Sequence, residues 1–139
     1  MEVWRAFEHG YVDRLARKLE VGRFRPLVDL QTWLEQTETH LGPDVLLGGG
    51  AAAQRFGLDI QAATASLHVS SWDAARLGQM RLVPDAMGPV VVRSQFGTVN
   101  GSGPVAHPIL VRAELLLERD ERLDGCRAEL ATRIQQDLP

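Results

Sequence analysis

Between Val45 and Gly57 the chain passes from an apolar triplet, Val45-Leu46-Leu47, to three glycines, Gly48-Gly49-Gly50, and then to an alanine run, Ala51-Ala52-Ala53. This stretch constrains the fold more than any other. A short apolar run bounded by glycine is a buried strand. Glycine lets the backbone reverse within a residue or two, and residues 51–56 then form a short helix closed by Gly57. A strand that turns directly into a helix belongs to an α/β layer, not to a bundle or a sandwich. Free N–H groups at the start of that helix can also receive a phosphate. The lysine and Ser/Thr of a P-loop are missing, however, and Phe56-Gly57 breaks the spacing of a dinucleotide fingerprint. Taken alone, the turn is equally a device for packing a helix on a sheet.

The flanking sequence supplies the remaining elements. Val3, Phe7, Tyr11, Leu15 and Leu19 recur every four residues and predict an amphipathic helix over 2–19, ended by Gly22. A second helix is expected over 28–41, with Trp33 and Leu34 on its apolar face, Asp29 at its start and Gly42-Pro43-Asp44 as its stop. Residues 65–69 form a strand with Leu67 and Val69 on one face. A short helix capped by Ser71 or Asp73 follows, then strands at 80–83 and 90–95 and a Gly/Ser/Asn loop at 98–104. Pro108 suits the first turn of a helix reaching Glu118 with Ile109, Leu110, Ala113, Leu116 and Leu117 inward. Asp120 opens the last helix, with Leu123, Cys126, Leu130 and Ile134 at helical spacing. The expected architecture is a single α/β domain. A small mixed sheet of about four strands (core 44–96) lies between two N-terminal helices (2–41) and two C-terminal ones (108–136).

Composition excludes several classes. At 139 residues one core can be buried without staples. The longest unbroken runs of apolar side chains are three residues, against roughly 20 for a bilayer span. No secretory pattern opens the chain, and the lone Cys126 rules out an internal disulfide framework, so a cytoplasmic protein without a membrane partner is expected. Fourteen of the 15 basic residues are arginine. The one basic cluster, Arg14, Arg17, Lys18, Arg23 and Arg25, has Phe24 and Tyr11 beside it and could grip phosphates or an acidic protein face. It could equally be a solvated surface paired with Glu8, Asp13 or Glu20. Residues 1–25 hold six basic against four acidic residues, a mild excess for a nucleic-acid module, so nucleic acid stays an alternative partner.

The other chemistry-bearing residues point to packing. His9, His40, His68 and His107 lack ligand spacing, so no metal and no cofactor is expected. His107 reads as a helix-start residue bonding locally. His68 faces away from Leu67 and Val69, half-exposed on the sheet or lining a pocket at the turn. Cys126, Trp4, Trp33 and Trp72 suit core packing. Glu114, Glu118 and Arg122 read as solvated ion pairs of small worth, and no serine elbow is present.

The glycine turn together with Thr64-Ala65-Ser66-Leu67-His68-Val69 resembles the nucleotidyltransferase fold, in which a Gly-Gly or Gly-Ser turn precedes a strand bearing T-x-D-x-D. The resemblance implies that Gly48, Gly49 and Gly50 would hold nucleotide phosphates. It implies that Ser66 and His68 stand where two carboxylates bind magnesium. Neither side chain supplies the anionic oxygens magnesium requires, and Asp59 is the sole acid between Leu58 and Val69. The resemblance thus implies the scaffold with a relic site and no catalysis.

Four blocks narrow the match: residues 11–26, 46–52, 81–90 and 105–116. Within them, Leu82-Val83-Pro84-Asp85 followed by Gly88, and His107-Pro108-Ile109-Leu110-Val111 followed by Ala113-Glu114-Leu115-Leu116, are the most specific. In that order, over about residues 11–134, the chain looks like the C-terminal domain of the type IV toxin–antitoxin antitoxins of the abortive-infection system. Members of that family usually add an N-terminal winged helix that binds the promoter, while the C-terminal domain serves antitoxicity. No helix-turn-helix fits the stretch before Leu41 without breaking its amphipathic pattern, so a fragment or a stand-alone relative is expected. The resemblance implies a non-catalytic antitoxin or regulator whose partner is a cognate toxin. An active or nucleotide-binding nucleotidyltransferase and a nucleic-acid-binding accessory domain are the alternatives.

Overall fold

The computed structural model describes residues 3–40, 45–95, 105–118 and 120–137. The chain opens with a helix in three parts. These are α1 (Val3–Gly10), a π-helical turn (Tyr11–Leu15) and α2 (Ala16–Leu19). The wider turn shifts the inward face, so that Trp4, Glu8, Tyr11 and Ala16 are buried.

At Glu20 the backbone becomes extended (φ −66°, ψ 121°) and β1 (Glu20–Pro26) begins. This strand corrects the expectation of helices alone before residue 41. Gly22 and Pro26 look like breakers and the arginines like a solvated loop. Yet Phe24 and Pro26 point inward while Arg23 and Arg25 point outward, the period of two of a strand. The register slips between Glu20 and Gly22.

α3 (Leu30–His40) starts after Asp29, whose carboxylate accepts from the Thr32 N–H at 3.0 Å. The expected stop at Gly42-Pro43-Asp44 and the loop at 98–104 lie outside the described residues. Then come β2 (Val45–Gly48), α4 (Gly49–Arg55), β3 (Ala65–Val69), α5 (Ala74–Gln79), β4 (Leu82–Pro84) and β5 (Val90–Ser94). Asp73, not Ser71, caps α5. The chain closes with α6 (Pro108–Leu117), a short 3-10 turn (Glu121–Leu123) and α7 (Asp124–Asp137). His107 caps α6, its Nδ1 accepting from the Ile109 N–H at 3.2 Å, as the sequence predicts.

The sheet has five strands in the order β2-β3-β5-β1-β4, one more than expected because of β1. β3 and β5 run parallel, and the other neighbours are antiparallel. Two apolar layers cover it. Beneath one face Leu67, Val69, Val90 and Val92 meet Trp33 of α3, Phe24 and Met80. Over the other, Tyr11, Leu46, Leu110, Leu115 and Leu130 join the first helix, α6 and α7. Cys126 is buried in this second layer, and burial pushes its thiol pKa up. Gly88 explains part of the Leu82–Gly88 block: a methyl there would lie 2.1 Å from the Phe24 carbonyl oxygen, so the β4–β5 turn closes on β1 only with glycine. Among the described residues no helix is long and apolar enough to cross a membrane.

Trp33 is fully buried, and its indole N–H donates to the Met80 carbonyl at 2.7 Å, tying α3 to the end of α5. Trp33→Phe keeps an aromatic ring but leaves that carbonyl without this donor. The expected loss is about 1–3 kcal/mol, read in urea as a lower midpoint with an unchanged slope.

Candidate functional site

Along β3, Ser66 and His68 alternate with Ala65, Leu67 and Val69, so both turn toward α6 while the apolar trio faces α3. Thr64, just before the strand, continues the row. Opposite stand Glu114 of α6 and Glu118, the residue that caps the end of that helix. Glu114 is buried, as are Ser66, His68 and Arg93 of β5. His68 Nε2 lies 3.0 Å from Glu114 Oε1. An ionised carboxylate only accepts, so Nε2 carries the proton. Arg93 Nη1 donates to Glu114 Oε2 at 2.7 Å and to Ser66 Oγ at 3.2 Å.

The glycine turn completes the shell. Gly49 starts α4 with φ +64°, the left-handed region where glycine is favoured, and its N–H donates to Glu114 Oε1 at 3.1 Å. A methyl on Gly48 would sit 2.2 Å from Glu114 Oε1 and 2.8 Å from His68 Nε2. The glycines are thus needed for the close approach of a carboxylate from the protein's own α6. The N–H that an incoming phosphate would seek already has an anion.

Burial alone would raise the pKa of Glu114. The attraction and hydrogen bonding of His68, the charge of Arg93 and the Ser66 hydroxyl outweigh it, holding the carboxyl below its ordinary value. Glu118 behaves oppositely. It accepts from the Thr64 hydroxyl, but burial, with repulsion from Glu114 and Asp120, raises its pKa. Tyr11 lies under the same field. Burial first and Glu114 second raise its phenol pKa, against Arg93.

Of the sequence-predicted site, Gly48, Gly49, Ser66 and His68 come together. Gly50 stands just behind, its α-carbon facing the Thr64 carbonyl. Two expectations are corrected. His68 is fully buried, not half-exposed, because α6 covers that face. Glu114 and Glu118 are not solvated partners of Arg122, which pairs with Asp120 at 2.8 Å. The helix is turned by about one residue relative to the expected apolar face: Glu114 and Leu115 are buried, Leu116 and Leu117 half-buried. Arg93 and Glu114 are the residues that sequence reasoning missed. Their signal was a guanidinium closing the Val90–Val92 run and an acid one turn after Leu110 in an apolar helix. Each is a charge that must meet its opposite if buried.

A protein-family model described as "Transcriptional regulator, AbiEi antitoxin, Type IV TA system" matches residues 1–137. The chain belongs to this AbiEi antitoxin family. No curated protein and no solved structure matches it. The family assignment agrees with the resemblance carried by the Gly88 turn and the α6 helix.

The five residues of the basic cluster are all exposed. Arg14, Arg17 and Lys18 lie on the first helix. Arg23 and Arg25 share the outward side of β1, which is the sheet face that carries Arg93. Their acidic neighbours are Asp13 at 3.9 Å from Arg14, Glu20 at 3.8 Å from Arg23 and Asp85 at 3.7 Å from Arg25. These are long contacts of small worth. Glu8 is buried and takes Arg112 instead.

Glu114→Gln retains the shape but strands Arg93 without its counter-charge. The expected loss is about 3–5 kcal/mol at neutral pH, measured by urea unfolding. A loss under about 1 kcal/mol would mean that the carboxylate is not the partner that offsets the arginine. The native pKa lies below the ordinary 4.5, so the ionised group stabilises the fold above that pH, and the contribution fades as pH falls through the native pKa. Acid titration of the wild type should show this step, and the Gln variant should lack it.

Proposed function

We propose that the chain is an antitoxin-type regulator that acts by binding a protein partner, the cognate toxin of its type IV system, and that its nucleotidyltransferase-like core transfers nothing. The observation that carries the second half is Glu114. Metal-assisted phosphoryl transfer needs free carboxylates for the cation and free backbone donors for the phosphates. Here Gly49 N–H is spent on Glu114, Glu114 is spent on His68 and Arg93, and Glu118 holds Thr64. β3 offers Ser66 and His68 where carboxylates are required. Family membership carries the first half.

A nucleic-acid role is the second reading, favoured by the exposed arginines on the first helix and β1 and by the family's description as a regulator. In it, Arg14, Arg17, Lys18, Arg23 and Arg25 would contact phosphates, with affinity falling steeply as salt rises.

The test is co-expression with a toxin of the type IV system. Growth arrest by the toxin alone should be relieved by this chain, and relief should survive Arg23→Ala with Arg25→Ala. Failure to relieve arrest would refute the antitoxin role. Magnesium-dependent incorporation of labelled nucleotide by the purified chain would refute the non-catalytic one.

A further inference from the structure

One member of the buried cluster also lines a surface cleft. Between the first helix and β1 lies a cleft of about 340 Å³ with Arg93 among its lining residues. Arg17 and Arg23 stand at the same cleft, Glu20 is the one carboxylate that lines it, and Val12 and Leu117 supply apolar wall.

The donors there are under-used. Arg93 spends Nη1 on Glu114 and Ser66, but its buried Nε–H has no acceptor among the described residues. Arg23 reaches the Gly88 carbonyl at 3.5 Å and Glu20 at 3.8 Å. Contacts of that length do not hold its fork. Arg17 forms no ion pair among the described residues. A buried donor without an acceptor is costly, and guanidinium forks match carboxylate and phosphoryl oxygens in pairs. Three arginines lining one cleft beside an apolar wall fit a ligand with one oxyanion head and a compact apolar body.

We propose that this cleft binds a small organic anion, its oxyanion between Arg17, Arg23 and Arg93 and its apolar portion against Val12 and Leu117. The site is separate from the glycine turn, whose anion position Glu114 fills, and does not depend on the antitoxin reading. A phosphomonoester and a carboxylate share the required head.

Thermal melting of the full chain, titrated at constant ionic strength with inorganic phosphate, phenyl phosphate and benzoate, tests it. At least one organic anion should raise the melting temperature saturably and by more than inorganic phosphate at equal concentration. A rise with phenyl phosphate alone assigns a phosphomonoester, and with benzoate alone a carboxylate. Arg17→Ala with Arg23→Ala, two exposed positions, should weaken the apparent affinity by roughly tenfold or more, the worth of one charge-assisted hydrogen bond. Arg14→Ala with Arg25→Ala, outside the cleft, should leave it unchanged. No saturable rise overturns the proposal, as does inorganic phosphate matching the organic anions, or equal weakening by both double variants.

Discussion

A carboxylate buried where a helix begins sets the terms for this structure. Taking an ion the size of a carboxylate out of water costs several kcal/mol even after relaxation, so it persists only where partners surround it. Around Glu114 the partners come from the turn after β2, from β3 and from β5, while the acid itself comes from α6. One interaction therefore fixes how α6 crosses the sheet and how β2 meets α4. It also fixes which residues can occupy position 48, because the carboxylate takes the space that a side chain would fill. The polar row of β3 is a consequence of the same demand. Ser66 and His68 face the acid because a strand alternates, and the apolar trio between them is committed to the opposite layer.

This arrangement changes what the glycine turn means. A helix start preceded by glycines is a ready anion site in many α/β proteins. Here the anion is internal, so the turn is a structural joint. The backbone N–H that the nucleotide-binding expectation would assign to a phosphate is taken by Glu114. The exposed arginines of the first helix and β1 lie on the side of the sheet that carries the buried cluster, and Arg93 belongs to both settings. Its Nη1 balances Glu114 inside, and the residue also lines a cleft shared with Arg17 and Arg23.

Much of the fold was legible because local rules act on neighbouring residues. The apolar triplet, glycines and alanines encode β2 and α4, the Val90–Val92 run encodes β5, and His107-Pro108 marks the start of α6. Asp29 and Asp73 stand at helix starts, where free N–H groups need an acceptor. β1 was illegible for the converse reason. Its alternation is carried by Phe24 and Pro26 against two arginines, flanked by Gly22, a composition that imitates a solvated turn. Only pairing with β5 and β4 makes it a strand.

The sequence by itself determined an α/β layer, one domain, the glycine-bounded joint and membership in the antitoxin family. The resemblance it carries to the nucleotidyltransferase fold implied Gly48, Gly49, Gly50, Ser66 and His68 as one group. Tertiary structure alone decided what that group does. Glu114 is 65 residues from Gly49 and 46 from His68 along the chain, and Arg93 is 21 from Glu114. Periodicity can say that such charges lie on an element. Whether they are paired inside or solvated outside depends on the rotation of α6 against the sheet, set by packing across the whole core.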